Sequence, residues 1–119
     1  MVAERHHAMS YIEFGVTDLQ AARAFYEAAF GWKFNDYGPN YSGIKAPDGV
    51  SEIGGFNPNA RPSGTGPLVL LFSNDLDATL QAVESAGGTI VERPYAFPGG
   101  CRFEFTDPSG NRLGVYAKQ

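Results

Sequence analysis

The side chains able to do chemistry are few, and their types narrow what chemistry is open. His6 and His7 are the only histidines and Cys101 the only cysteine among 119 residues. One cysteine permits neither an intrachain disulfide nor a cysteine-based zinc site. Adjacent histidines on an extended segment point to opposite faces, which argues against a chelating pair and for a plain terminal tail. Cys101 follows Pro98-Gly99-Gly100 and precedes Arg102. A reactive thiolate needs a basic, partly exposed setting, so one neighbouring arginine favours an inert, half-buried thiol. Gly99-Gly100 opens no helix and is not a phosphate loop.

Carboxylates are left. Within Tyr11-Ile12-Glu13-Phe14-Gly15-Val16, strand alternation puts Ile12, Phe14 and Val16 on one face and Tyr11, Glu13 and Gly15 on the other. The aliphatic set is expected to pack beneath helices, which turns Glu13 away from them. A carboxylate in a partly apolar recess suits a general base or acid, so Glu13 is the catalytic candidate. The structural alternative is a solvated sheet residue, or an ion pair with Arg102 or Arg112.

Two stretches of the chain follow one grammar and would position such groups. Tyr11 to Val16 leads into Thr17-Asp18-Leu19, a helix-prone run from Gln20 to Phe30, and Gly31; Leu68 to Phe72 leads into Asn74-Asp75-Leu76, a run from Asp77 to Ala86, and Gly87-Gly88. Placing Asp18 on Asp75, 57 positions later, also matches Leu19 with Leu76, Ala21 with Ala78, Glu27 with Glu84, Ala29 with Ala86 and Gly31 with Gly88. Thr17 with Gln20, and Asn74 with Asp77, offer helix starts of capping-box type, and the glycines offer left-handed stops. Leu19, Ala22, Phe25, Tyr26 and Ala29 form one helical stripe, and Leu76, Thr79, Leu80 and Val83 the other; both read as core.

Shorter strands follow each helix. In the first half they are 32–34, 41–45 and 52–56, with a Pro47-Asp48-Gly49 turn; in the second, 89–93, 101–106 and 112–117, with an Asp107-Pro108-Ser109-Gly110 turn. Each half reads β-α-β-β-β, about 9–56 and 67–117, joined by a Pro- and Gly-rich linker. Neither half is large enough to hold a core alone, so 1–119 is expected to be a single domain. Loops 35–43 and 94–100 are expected to shape any cavity. Hydrophobic residues make up 43% and the net charge is −4. A buried core is therefore expected, with no basic footprint for nucleic acid and no apolar run of membrane length. The N-terminus lacks a secretory pattern, and a cytoplasmic location is expected.

This tandem βαβββ pattern, with Val16-Thr17-Asp18-Leu19, Phe25-Tyr26 through Phe30-Gly31-Trp32, and Asp107-Pro108-Ser109-Gly110-Asn111, resembles the vicinal oxygen chelate superfamily of glyoxalase I, bleomycin-resistance proteins and extradiol dioxygenases. The helical Phe-Tyr followed by Phe-Gly-Trp is similar to a bacterial glyoxalase-related subgroup. The resemblance covers about residues 10–116. It implies an α+β fold, a curved mixed sheet with helices on the convex side and ligands on the concave side, and a homodimer that completes its cavities across subunits. It also implies a metal in many members, with ligand positions that fall here on Tyr11, Leu68, Gly114 and Gly54 or Gly55. Leu and Gly side chains donate no lone pair and neutral Tyr is a poor ligand, so no metal site and no cofactor are expected.

On that template Glu13 faces the concave side, with Tyr11. Leu68, Leu70 and Phe72, joined by Gly114 and Tyr116, form an apolar wall suited to a small organic ligand. Trp32 and Tyr41 either stack on that ligand or belong to core or interface, and Arg102 is a further binding candidate. The reading that follows is a metal-free, glyoxalase-related protein acting on a small carbonyl metabolite, with Glu13 as base and a Tyr or Arg steadying the enolate. The alternatives are a sequestering protein of bleomycin-resistance type, or a divalent-metal enzyme using Glu13 with Glu104 or Glu52.

Overall fold

A computed structural model describes residues 4–118. The elements run β1 (Ile12–Gly15), α1 (Leu19–Phe30), β2 (Phe34–Asp36), β3 (Ser42–Lys45), β4 (Glu52–Asn57), β5 (Val69–Phe72), α2 (Leu76–Ser85), β6 (Thr89–Phe97), β7 (Gly100–Thr106) and β8 (Arg112–Ala117). Both halves thus have the βαβββ order. The expected curved mixed sheet is built as two four-stranded sheets, β1-β4-β3-β2 and β5-β8-β7-β6. In each, the first strand pairs in parallel with the last, and the remaining pairs are antiparallel. β1 and β5 each keep one edge unpaired.

The helices start one residue later than the capping pattern of Thr17 and Asn74 indicates. Asp18 caps α1 by accepting from the Ala21 N–H at 3.1 Å, and Asp75 caps α2 by accepting from the Ala78 N–H at 3.1 Å. Thr17 is diverted: its N–H donates to Ser109 Oγ at 3.0 Å. Gly31, at φ 72°, closes α1 in the left-handed conformation. The Trp32 N–H still donates to the Tyr26 carbonyl, so the chain is completing the helix end there and β2 begins only at Phe34. β6 runs on through Pro94 to Phe97, turning much of the expected loop 94–100 into a hairpin. An edge strand with register shifts between Ile90 and Tyr95 can accept a proline that donates nothing.

Both helices cover the same side of the sheets. Phe25, Tyr26, Phe56, Val83, Phe103, Phe105, Leu113 and Val115 make one core shared by the two halves. Burial of these apolar side chains, at roughly 1.5–3 kcal/mol each, is the main cohesive force. A polar tether adds direction. Asp107 accepts from Tyr26 Oη at 2.8 Å and from the Ser109 and Asn111 N–H groups at 2.9 Å, and Asn111 Nδ2 donates to the Gly15 carbonyl at 2.8 Å. The Asp-Pro-Ser-Gly-Asn segment is therefore a turn that also fastens the second half onto the first. Gly15 permits the linker to cross β1 closely, since a Cβ there would lie 2.3 Å from the Arg61 carbonyl oxygen. Among the described residues, no helix is long and apolar enough to cross a membrane.

Candidate functional site

The side chains that face away from the helices form the concave surfaces of the two sheets. In the first, the side chains of Gly43 and Gly55 are absent where neighbours need room. A Cβ on Gly43 would lie 2.0 Å from Glu52 Oε1, and one on Gly55 2.1 Å from Tyr41 Oη. Glu52 lies over that floor. It stands at the start of β4, opposite the register shift between Ile44 and Lys45. Its Oε1 accepts from Tyr37 Oη at 2.7 Å and Asn35 Nδ2 at 2.9 Å, and its Oε2 from Tyr11 Oη at 2.7 Å. Tyr11 and Tyr41 hydroxyls meet at 2.9 Å.

Burial pushes the Glu52 carboxyl up, but the bonds from Asn35, Tyr11 and Tyr37 outweigh it and hold the group below the usual carboxylate range. Burial, with the Tyr41 and Glu52 bonds, drives the Tyr11 phenol far above its ordinary value. The Glu52 bond is the largest cause of the rise at Tyr37. Burial raises Tyr41, the Tyr11 bond opposes, and the neighbouring Glu13 carboxylate raises it further.

Glu13 shares this face, since it stands opposite Gly55 in the parallel register. Its expected apolar recess is corrected: the residue is exposed, and its Oε2 accepts from Asn57 Nδ2 at 3.2 Å. The ion pairs considered for it form elsewhere. Arg112 binds Glu104 Oε1 through Nε at 2.9 Å and Nη2 at 2.8 Å, and Arg102 Nε donates to Tyr95 Oη at 2.6 Å. Glu104 also accepts from Tyr95 Oη. That bond, against burial and with help from Arg112, holds Glu104 below the usual range, while Tyr95 is raised chiefly by the same bond.

A cavity of about 660 Å³ opens where β1 and β5 approach, lined by Tyr11, Glu13, Leu68, Leu70, Arg61 and Arg112 among others. It brings together four of the expected residues: Tyr11, Glu13, Leu68 and Leu70. Phe72, Tyr116 and Arg102 lie farther along the second sheet. Tyr41 reaches the site through Tyr11. Trp32 sits apart from this cavity, stacked on Tyr26 with ring centroids 4.5 Å apart and packed against the buried aromatic core. His6 and His7 do not point to opposite faces; His7 has φ 68° and the rings stack at 3.7 Å.

Glu52, Tyr37 and Asn35 escape a reading by strand alternation. Glu52 precedes Ile53 at a register irregularity, and its partners come from the chain around β2 and β3. The signal available was the pair Gly43 and Gly55, each a missing side chain on one face of adjacent strands. The metal implied by the resemblance does not fit these donors. Leu68, Gly55 and Gly114 offer no lone pair, and the Tyr11 hydrogen is committed to Glu52. Glu104 is already ion-paired with Arg112, and no group of three or more His, Cys, Asp or Glu is placed to hold an ion among the described residues.

Residues 6–115 match the Glyoxalase/Bleomycin resistance protein/Dioxygenase superfamily, and the chain belongs to that family. It is 27% identical to "Putative glyoxylase CFP32" of Mycobacterium bovis, over 94% of this chain and 46% of that protein. It is 30% identical to the anthracycline biosynthesis protein DauV of Streptomyces sp. strain C5, over 93% of this chain and 47% of that one. The chain therefore spans about half the length of the curated relatives it matches. Among solved structures, a family enzyme from Burkholderia phytofirmans PsJN superposes with a TM-score of 0.77 at 20% identity, covering 93% of this chain and 98% of that one. Protein ATC0852 from Agrobacterium tumefaciens gives 0.75 at 23% identity, covering 90% and 93%. These structures share the fold.

Proposed function

We propose that this protein holds a small organic molecule in the cavity between its two sheets and acts on a carbonyl-containing metabolite, with Glu13 as the acid–base group. The observation that carries the reading is the cavity itself. Its volume of about 660 Å³ lies within the roughly 300–1,000 Å³ of ordinary ligand sites, and its lining combines the apolar Ile12, Phe14, Leu68 and Leu70 with one carboxylate and two arginines. Glu13 would take a proton from carbon beside the carbonyl, and a cavity arginine, Arg61 or Arg112, would face the oxygen as charge develops there. No step passes through a metal.

Sequestration without turnover is the second reading. The bond from Asn57 to Glu13 favours it, because a carboxylate already holding an amide is a poorer base. The name of the Streptomyces relative ties that protein to an aromatic product class, which suits an apolar wall here. In either reading the protein acts as a homodimer in the cytoplasm, without nucleic acid or membrane.

A thermal-shift screen of small carbonyl metabolites tests both, because a ligand of the folded form raises the melting temperature by mass action. Hits are expected to lose their effect in Leu68→Trp, which fills the cavity. Turnover of a hit that Glu13→Gln abolishes while binding persists supports catalysis; binding without turnover in the unaltered protein supports sequestration. Hits indifferent to Leu68→Trp, or none at all, would overturn the cavity as the site.

A further inference from the structure

Outside that cavity, one row of side chains crosses the second sheet in register. Phe72 stands opposite Tyr116, Tyr116 opposite Arg102, and Arg102 opposite Tyr95. All four lie on the concave face, because they alternate with the core residues Leu71, Val115 and Phe103. The Arg102 guanidinium is held in place. Its carbon lies 5.3 Å from the Tyr95 ring centroid and 4.9 Å from that of Phe97, and Nε is bonded to Tyr95 Oη at 2.6 Å.

What holds Arg102 leaves its far side open. Glu104 is taken by Arg112 and Tyr95, and among the described residues Arg102 has no carboxylate within ion-pair reach. Its two Nη atoms have no acceptor among them either. Beside it lie aromatic surfaces. Tyr116 meets Phe97 edge-on at 6.1 Å and Phe72 at 5.3 Å, and Phe72 remains 53% exposed. Lys118 Nζ, 6.0 Å from the Phe72 ring centroid, adds a second cation. Glu92, opposite Glu104 on β6, is the other carboxylate nearby; the arginines and Lys118 outnumber the two acids.

We propose that this row is a binding site for a planar carboxylate, an aromatic or conjugated acid whose two oxygens take the free Nη atoms of Arg102 side by side while its plane rests on the Phe72 ring and meets Tyr116 at its edge. A rigid guanidinium fork matches a carboxylate in a way that an ammonium does not. The exposed Phe72 ring, backed by the half-buried Tyr116 beside the fork, selects a flat partner over an aliphatic acid. The inference rests on the proposed function only in taking the ligand to be a small organic molecule.

Benzoate, with uncharged benzamide as its control, tests the site by nuclear magnetic resonance of the labelled full chain. Benzoate is expected to shift the Arg102 Nε and the Phe72 and Tyr116 ring signals saturably, with a dissociation constant on the order of 1 mM. Benzamide should bind at least tenfold more weakly, and Arg102→Gln should weaken benzoate at least tenfold. Arg102→Lys should recover only a minor part. Phe72→Ala, which leaves the arginine clamp untouched, should weaken benzoate several-fold and guards against loss of structure in the arginine variants. Absence of saturable shifts, equal binding of benzamide, or Arg102→Gln binding benzoate as well as the unaltered protein would overturn the site. Failure of the seam cavity shows separately, in ligands that leave the Tyr11 and Leu68 signals unmoved.

Discussion

Glu52 in the first half and Glu104 in the second lie over concave faces opened by glycine, yet they are held by different chemistry. Glu52 is surrounded by neutral donors, the hydroxyls of Tyr11 and Tyr37 and the amide of Asn35. Glu104 is ion-paired with Arg112 and leaves Arg102 over. One face therefore keeps its negative charge, with Glu13 beside it, and the other carries surplus positive charge. A second contrast lies at the ends of the first strands. Gly15 is crossed by the linker, whereas Phe72, 57 positions later, is open to solvent. Repetition supplies two equivalent scaffolds; the differences in side chain make one trough with two unlike ends.

Breaking the strand-end contrast should have the largest effect. Gly15→Ala places a methyl group against the Arg61 and Ala60 carbonyls, at 2.3 and 2.6 Å, where backbone must move. A loss of about 2–3 kcal/mol in urea unfolding is expected, the scale of overpacking in a fitted site. Phe72→Ala should cost under about 1 kcal/mol, because the ring is half in solvent. Equal losses would show that the linker crossing adds nothing.

Next in size is the exchange of the two carboxylates. Glu104→Gln leaves the Arg112 guanidinium without its counter-ion and should cost about 1–3 kcal/mol, whereas Glu52→Gln, beside neutral and accessible donors, should cost about 1 kcal/mol. The pH dependence has a definite sign. Both carboxyls are depressed in the folded state, so their contribution is complete above the ordinary glutamate value of about 4.5 and is lost as pH falls below it. Acid unfolding followed by circular dichroism should become shallower in each variant, more so for Glu104→Gln.

The smallest effect sharpens the picture of the tyrosines. Tyr11, Tyr37, Tyr41 and Tyr95 are raised above the ordinary phenol value of 10.0. Their contribution is present below that pH and is lost as pH rises through the folded values. Tyrosinate absorbance should appear late in an alkaline titration. In Glu52→Gln, Tyr37 should return furthest toward normal, because the carboxylate bond is its largest cause, while Tyr11 stays high through burial. An unchanged titration would show that the cluster does not persist in solution.

Much of the architecture was legible because its signals are local. The duplicated strand-helix order, the helical stripes and the glycine stop after Phe30 depend on neighbours within a turn or two of chain. The placement of Glu13, Leu68 and Leu70 on one face followed from alternation alone. What local pattern left unread had its cause in the packing. Thr17 does not cap α1 because both its hydroxyl and its N–H turn to Ser109, and β2 begins at Phe34 rather than Trp32 because Trp32 still belongs to the end of α1. Glu52 lies beside a register shift set by β3, and periodicity of two cannot count through such a shift.

By itself the sequence determined the family, the two-fold repeat and which strand residues share a side, since side-chain period and helix termini are properties of short segments. The tertiary structure alone decided which carboxylate gathers three donors, which arginine is left over, and where the cavity opens. Those outcomes depend on distances of a few ångströms between residues far apart in the chain, as Tyr11 and Glu52 are at 41 positions, and no local pattern records them.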